Sequence, residues 1–224
     1  MLDQPGATAA SPWRQDPRMS VQTTTFLRRT LLLALIALAG CAAAPLQVPV
    51  ASTAPAGNEL RILVFRGGTA ARMGHNHVLR AGDLRVDWPA TGPVLSFRLD
   101  ALDIDPPALR AGLGSAFASA VDDTDRSGTR TNLLKALEAA AHPEVVVRTL
   151  QQVGEGPRRA VEAEVTLHGT TRRQWLVVSV DGRYARGEAV VRQSDFGIAP
   201  FTVLGGLLAV QDALVVQFEV VAPQ

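Results

Sequence analysis

Between Glu59 and Val221 the chain repeats one pattern eight times: a run rich in β-branched and other apolar residues, closed by glycine, proline or another turn-former. The runs are Glu59 to Arg66, Val78 to Trp88, Val94 to Ile104, Glu144 to Gln152, Ala160 to His168, Arg172 to Val180, Tyr184 to Gln193 and Ala213 to Val221. Alternation is clearest in Val161-Glu162-Ala163-Glu164-Val165-Thr166-Leu167, where one face is apolar and the other charged or hydroxylic, as a half-buried antiparallel strand requires. In the last run Leu214, Val216, Phe218 and Val220 share an inward face opposite Ala213, Val215, Gln217, Glu219 and Val221. Gly169 and Asp181-Gly182 mark tight turns, so the fifth to seventh strands are expected to form a meander of hairpins.

Eight antiparallel strands joined mostly by short connections predict an all-β fold, an up-and-down barrel, because closure removes the exposed edges that an open sheet has to protect. A barrel of this size is either filled by its own side chains or holds one small ligand. One short helix is expected between the third and fourth strands. Over Thr131 to Ala140, Leu133, Leu134 and Leu137 recur at helical spacing, Thr129 or Thr131 is available as N-cap, and Pro143 prevents continuation.

Upstream of this domain, Arg28-Arg29 precede an apolar run from Leu31 to Ala39 that ends in small residues, the layout of a secretory signal. The run falls short of the ~20 apolar residues that a membrane-spanning helix needs, and Pro45 and Pro49 follow soon after it. Leu38-Ala39-Gly40-Cys41 closes it and resembles the lipobox of bacterial lipoproteins, in which the cysteine is diacylated and the preceding bond is cut. Two or three acyl chains anchor stably where one does not. The expected organisation is therefore a non-translated or disordered extension over 1–18, with Met19 the true start, a lipoprotein signal over 19–40, an uncharged tether over 41–58, rich in alanine and proline, and the barrel domain over 59–224. Ala42 follows the cysteine where an aspartate would resemble a signal for inner-membrane retention, so the resemblance points to a periplasm-facing, outer-membrane location.

Cys41 is the only cysteine, so the domain is held by its core without a disulfide. A net charge of +1, from 22 basic and 21 acidic residues, supplies no electrostatic footprint for nucleic acid.

The chain offers few chemical sites. On an extended segment His75 and His77 point to one face, where two imidazoles can share a metal, but a closed zinc site needs four ligands and only His142 and His168 remain as further imidazoles. The competing expectation is that Gly74-His75-Asn76-His77 shapes a turn and pairs its histidines with backbone or carboxylate. Asp122, Asp123 and Asp125 lack the remaining ligands of a calcium loop and are expected in a solvated loop. Ser194 and Asp195 are neighbours on a strand, point to opposite faces, and have no nucleophile elbow around them, so no catalytic constellation is expected.

Gly74-His75-Asn76-His77-Val78, Leu134-x-x-Leu137 with His142-Pro143-Glu144-Val145, Thr166-Leu167-His168-Gly169-Thr170-Thr171-Arg172 and Ser194-Asp195-Phe196-Gly197-Ile198 together resemble the YceI-like family, in order over nearly all of Glu59 to Val221. The resemblance implies a periplasmic or secreted, non-enzymatic, lipocalin-like barrel whose apolar tunnel holds a polyprenyl lipid or a quinone. The chain departs from the family pattern in its lipobox and in the alanine- and glycine-rich stretch Ala108 to Ala120. Leu134, Leu137, Val161, Ala163, Val165, Leu167, Leu214, Val216, Phe218 and Val220 are the residues that such a ligand would touch, and they are equally what a filled core would contain. The expected partners are thus an isoprenoid lipid and the membrane, through acylated Cys41, with no other cofactor; the oligomeric state stays open, a dimer included. The alternative is a structural or protein-interaction module of the envelope.

Overall fold

A computed structural model describes residues 57–224. The extension over 1–18, the signal over 19–40, Cys41 and all of the tether but its last two residues lie outside the described residues.

In chain order the elements are β1 (Glu59–Val64), β2 (Arg66–Gly67), β3 (His77–Ala81), β4 (Arg85–Asp87), β5 (Val94–Arg98), β6 (Leu102–Ile104), α1 (Pro107–Ala111), α2 (Asp123–Ala136), β7 (Glu144–Val153), β8 (Arg158–Leu167), β9 (Thr170–Asp181), β10 (Tyr184–Arg192), β11 (Thr202–Val203), β12 (Leu208–Val210) and β13 (Ala213–Val221). One antiparallel sheet of ten strands runs in the order β4-β5-β7-β8-β9-β10-β13-β1-β3-β6. A small sheet of three, β11-β12-β2, stands beside it.

The fold is all-β and curled, but the count of eight strands is corrected to ten in the main sheet. The second and third expected strands each break in two. Gly82 lies where β3 would run into β4, and a side chain there would meet the carbonyl oxygen of Ala101 at 2.5 Å; the Gly82 amide instead donates to that oxygen. A single 3-10 turn over Leu99–Ala101 breaks the opposite strand at the same level. Since β3 and β4 are halves of one kinked strand, and β5 and β6 halves of another, the two ends of the ten-strand order come back to the same corner. The first expected strand also stops early, at Val64, and β2 pairs with β12 instead.

The hairpins of the meander are present. His168 and Gly169, both at positive φ, form the two-residue loop between β8 and β9, a backbone twist that suits hairpin strands. Inward residues of the strands, among them Leu60, Leu79, Phe97, Val145, Val165 and Val220, make the main core.

Two helices replace the one expected, and α2 begins eight residues before Thr131. Its cap is Asp122, not a threonine. The Asp122 carboxylate accepts from the Asp125 amide at 2.8 Å and the Asp125 carboxylate from the Asp122 amide at 3.1 Å, a capping box, and Asp123 and Asp125 favour the positive end of the helix dipole. The acidic cluster expected in a solvated loop is thus a helix start. The stretch Ala108 to Ala120 folds back as α1 and a 3-10 turn at Ser115–Phe117, burying Phe117 with Leu63 and Val78 in a second, smaller core on the outer face of the sheet.

Candidate functional site

The curled sheet encloses a cavity of about 630 Å³. This lies within the range of small-molecule sites. Inward side chains of β8 and β13 border it: Val161, Ala163, Val165 and Leu167 from one, Leu214, Val216, Phe218 and Val220 from the other. Leu137 borders it as well. Leu134 does not; it packs against the core, and Leu133 takes the position next to the cavity, because the helix begins earlier and is turned differently from the expected one. Leu133, Leu137, Ile198, Phe201 and Val210 border one end, and the loop Pro89–Pro93 with the β9–β10 turn at Gly182 borders the other.

Gly187 faces Phe218 across β10 and β13, and a side chain at Gly187 would run into the Phe218 ring; the missing Cβ lets that ring lie flat against the wall. The wall itself is incomplete at this point. β10 pairs with β9 only from Tyr184 to Gly187, while β9 continues its ladder with β8 to Thr170 and β10 with β13 to Arg192. Along the unpaired stretch Gln174 and Leu176 on one rim and Ala189 and Val191 on the other border the cavity. On the outside of the same rims Trp175, Val177 and Val190 are each more than half exposed.

Polar side chains border the cavity too, Asn132, Gln174, Gln193 and His77 among them, and His77 belongs to a buried network. Its Nδ1 lies 2.6 Å from Oδ2 of Asp105, a side chain with no exposure to solvent, and its ring borders the cavity. Oδ1 of Asp105 accepts from the Val78 amide at 2.9 Å and from the Arg110 guanidinium at 2.6 Å. Arg110, itself 7 % exposed, also donates to the carbonyls of Asn76, Phe117 and Ser119. Asn76 completes the turn, accepting from the Arg66 amide and donating to the Ala116 carbonyl. Burial raises the affinity of Asp105 for a proton, but the hydrogen bonds from His77, Val78 and Arg110 outweigh it and hold the carboxyl below the usual aspartate range.

His77 therefore has the carboxylate partner that the turn reading required. His75 has none: its ring centroid is 6.2 Å from that of His77, and its Nδ1 is buried without a partner. Among the described residues no three His, Cys, Asp or Glu side chains gather as a metal requires. His142 packs edge to face on His168 of the hairpin loop, with ring centroids 5.2 Å apart. Ser194 donates its hydroxyl to Asp212, at 2.7 Å, rather than engaging Asp195, and the two bonds that Ser194 makes hold the Asp212 carboxyl below its usual range.

Asp105 and Arg110 were not legible as site residues. The one local hint is an aspartate before Pro106-Pro107, where the chain must turn; Asp105 sits at φ +51, a left-handed conformation that aspartate tolerates better than most residues.

Comparison with curated proteins finds no match. Among solved structures, Burkholderia cenocepacia BcnA is similar at 10% identity and a TM-score of 0.48, covering 74% of this chain and 96% of that one. A Campylobacter jejuni YCEI protein is similar at 11% identity and a TM-score of 0.44, covering 63% of this chain and 80% of that one. The family model of the YceI-like domain matches residues 96–222, more than half of the sequence, and the chain belongs to the YceI-like family.

Proposed function

We propose that the protein is a non-enzymatic envelope lipoprotein that binds a polyisoprenoid lipid or quinone inside its barrel, tethered to the periplasmic face of the outer membrane through acylated Cys41. The observation that carries this reading is the cavity of about 630 Å³, bordered by the apolar faces of β8 and β13. A filled barrel has no use for such a space, and an apolar chain placed there gains roughly 25 cal/mol for each Å² removed from water, without needing hydrogen bonds along its length. The unpaired stretch between β9 and β10 supports the same reading. It brings cavity-lining side chains to the edge of the wall and places Trp175, Val177 and Val190 outside it, a composition suited to a bilayer interface.

The second reading, an interaction module, draws on those same exposed side chains as a protein-binding patch. Native mass spectrometry of the full-length chain, extracted from membranes in mild detergent and followed by solvent extraction, separates the two. A bound mass matching a polyprenyl chain or a quinone supports carriage. A bare protein mass, with nothing gained on incubation with such lipids, sinks carriage and favours the surface.

A further inference from the structure

The network at His77, whose ring borders the cavity, leaves one polar atom without a partner among the described residues. Asp105 is buried and ionised, and Arg110 beside it already balances its charge. A carboxylate can only accept, so the proton in the 2.6 Å contact sits on Nδ1 of His77, and in the neutral ring the lone pair is left on Nε2. Among the described residues Nε2 has no side-chain or backbone partner, while Asp105 has three and Arg110 four. Orienting partners that are this complete are what hold an imidazole still for something outside the protein. A ring nitrogen left without a partner beside an otherwise satisfied network, on a ring that borders the cavity, points to a ligand as that partner.

We propose that Nε2 of His77 is the anchoring acceptor for the head group of the bound lipid, and that this head carries a hydrogen-bond donor: an isoprenoid alcohol, a prenyl phenol or a quinol. The inference rests on the carrier reading above and narrows its ligand. An oxidised quinone or an ether offers only acceptor oxygens, which meet a bare nitrogen lone pair to lone pair and make no bond. A hydroxyl donates to it. That bond separates heads on the same tail.

The test offers the full-length protein, extracted in mild detergent, an equimolar mixture of geranylgeraniol and its methyl ether, with bound masses counted by native mass spectrometry. The unaltered protein takes up the alcohol about tenfold in preference, and His77→Leu binds both to the extent that the unaltered protein binds the ether. Equal uptake of the two by the unaltered protein, or an undiminished preference in His77→Leu, overturns the head-group assignment while leaving carriage intact. Uptake of neither overturns carriage and the assignment with it. Should His77→Leu fail to fold, the comparison of alcohol with ether on the unaltered protein decides the question alone.

Discussion

A carboxylate shut off from water, as Asp105 is, survives in a fold only when its charge is paired and its lone pairs are occupied; here Arg110, His77 and the Val78 amide do both. Removing one member of such a buried pair leaves the other uncompensated. Asp105→Asn is expected to destabilise the protein by roughly 3–5 kcal/mol at neutral pH, since the Arg110 charge stays buried. The pH dependence follows from the lowered carboxyl. Below the ordinary aspartate pKa of about 3.9 the folded chain binds fewer protons at this site than the unfolded chain, so the stabilisation is present above about pH 4 and is lost as pH falls through the folded value. Thermal unfolding followed by circular dichroism from pH 7 down to pH 3 checks both points. The unaltered protein should lose melting temperature steeply below pH 4, and Asp105→Asn should start lower and lose less. At this scale the carboxylate partner expected for a histidine of this turn is present at His77 and missing at His75. Asp105 was not legible as that partner, because it lies 28 residues from His77 in sequence and reaches it only once β3 and β6 pair.

At the level of elements, patterns of period two read correctly and the ends of elements did not. All eight expected runs start within two residues of a strand in the structure, since alternation is dictated by which face meets the core. The breaks at Gly82 and at Leu99–Ala101 follow instead from the tight curl of the sheet at that corner, where two chains approach too closely for straight strands. The helix shows the same division. Leu134 and Leu137 were expected to border the cavity, but α2 starts at the Asp122 and Asp125 capping box, and Leu133 stands beside Leu137 at the cavity where Leu134 was expected. Asp122→Ala is expected to cost about 1 kcal/mol, read as a lower urea midpoint at unchanged m-value, because the first-turn amide of Asp125 loses its acceptor.

For the whole molecule, cavity and anchor can be tested separately. Ala163 is buried on β8 with its methyl group at the cavity. Ala163→Trp should fill much of that space and reduce the lipid retained by the extracted protein several-fold, while a protein that keeps its thermal stability within a few degrees shows that the wall has held. Equal retention in the variant counts against this face as the lining. Anchoring resides in a different part of the chain. Cys41→Ser should move the protein from the membrane to the soluble periplasmic fraction on cell fractionation, and an unchanged membrane fraction defeats the lipoprotein proposal.

By itself the sequence determined the all-β class, the hairpin meander, the inward faces of β8 and β13 and the family, because each rests on local alternation, turn chemistry or a contiguous motif. Tertiary structure alone decided that the curled sheet holds a cavity, that β9 and β10 part beyond Gly187, that the stretch after Pro107 covers a second core, and that His77, Asp105 and Arg110 meet. The physical reason is common to all four. An apolar face looks the same in sequence whether it packs on another side chain or on empty space, and a long-range ion pair leaves no period to read, so both depend on how tightly the sheet curls and on what the curl brings together.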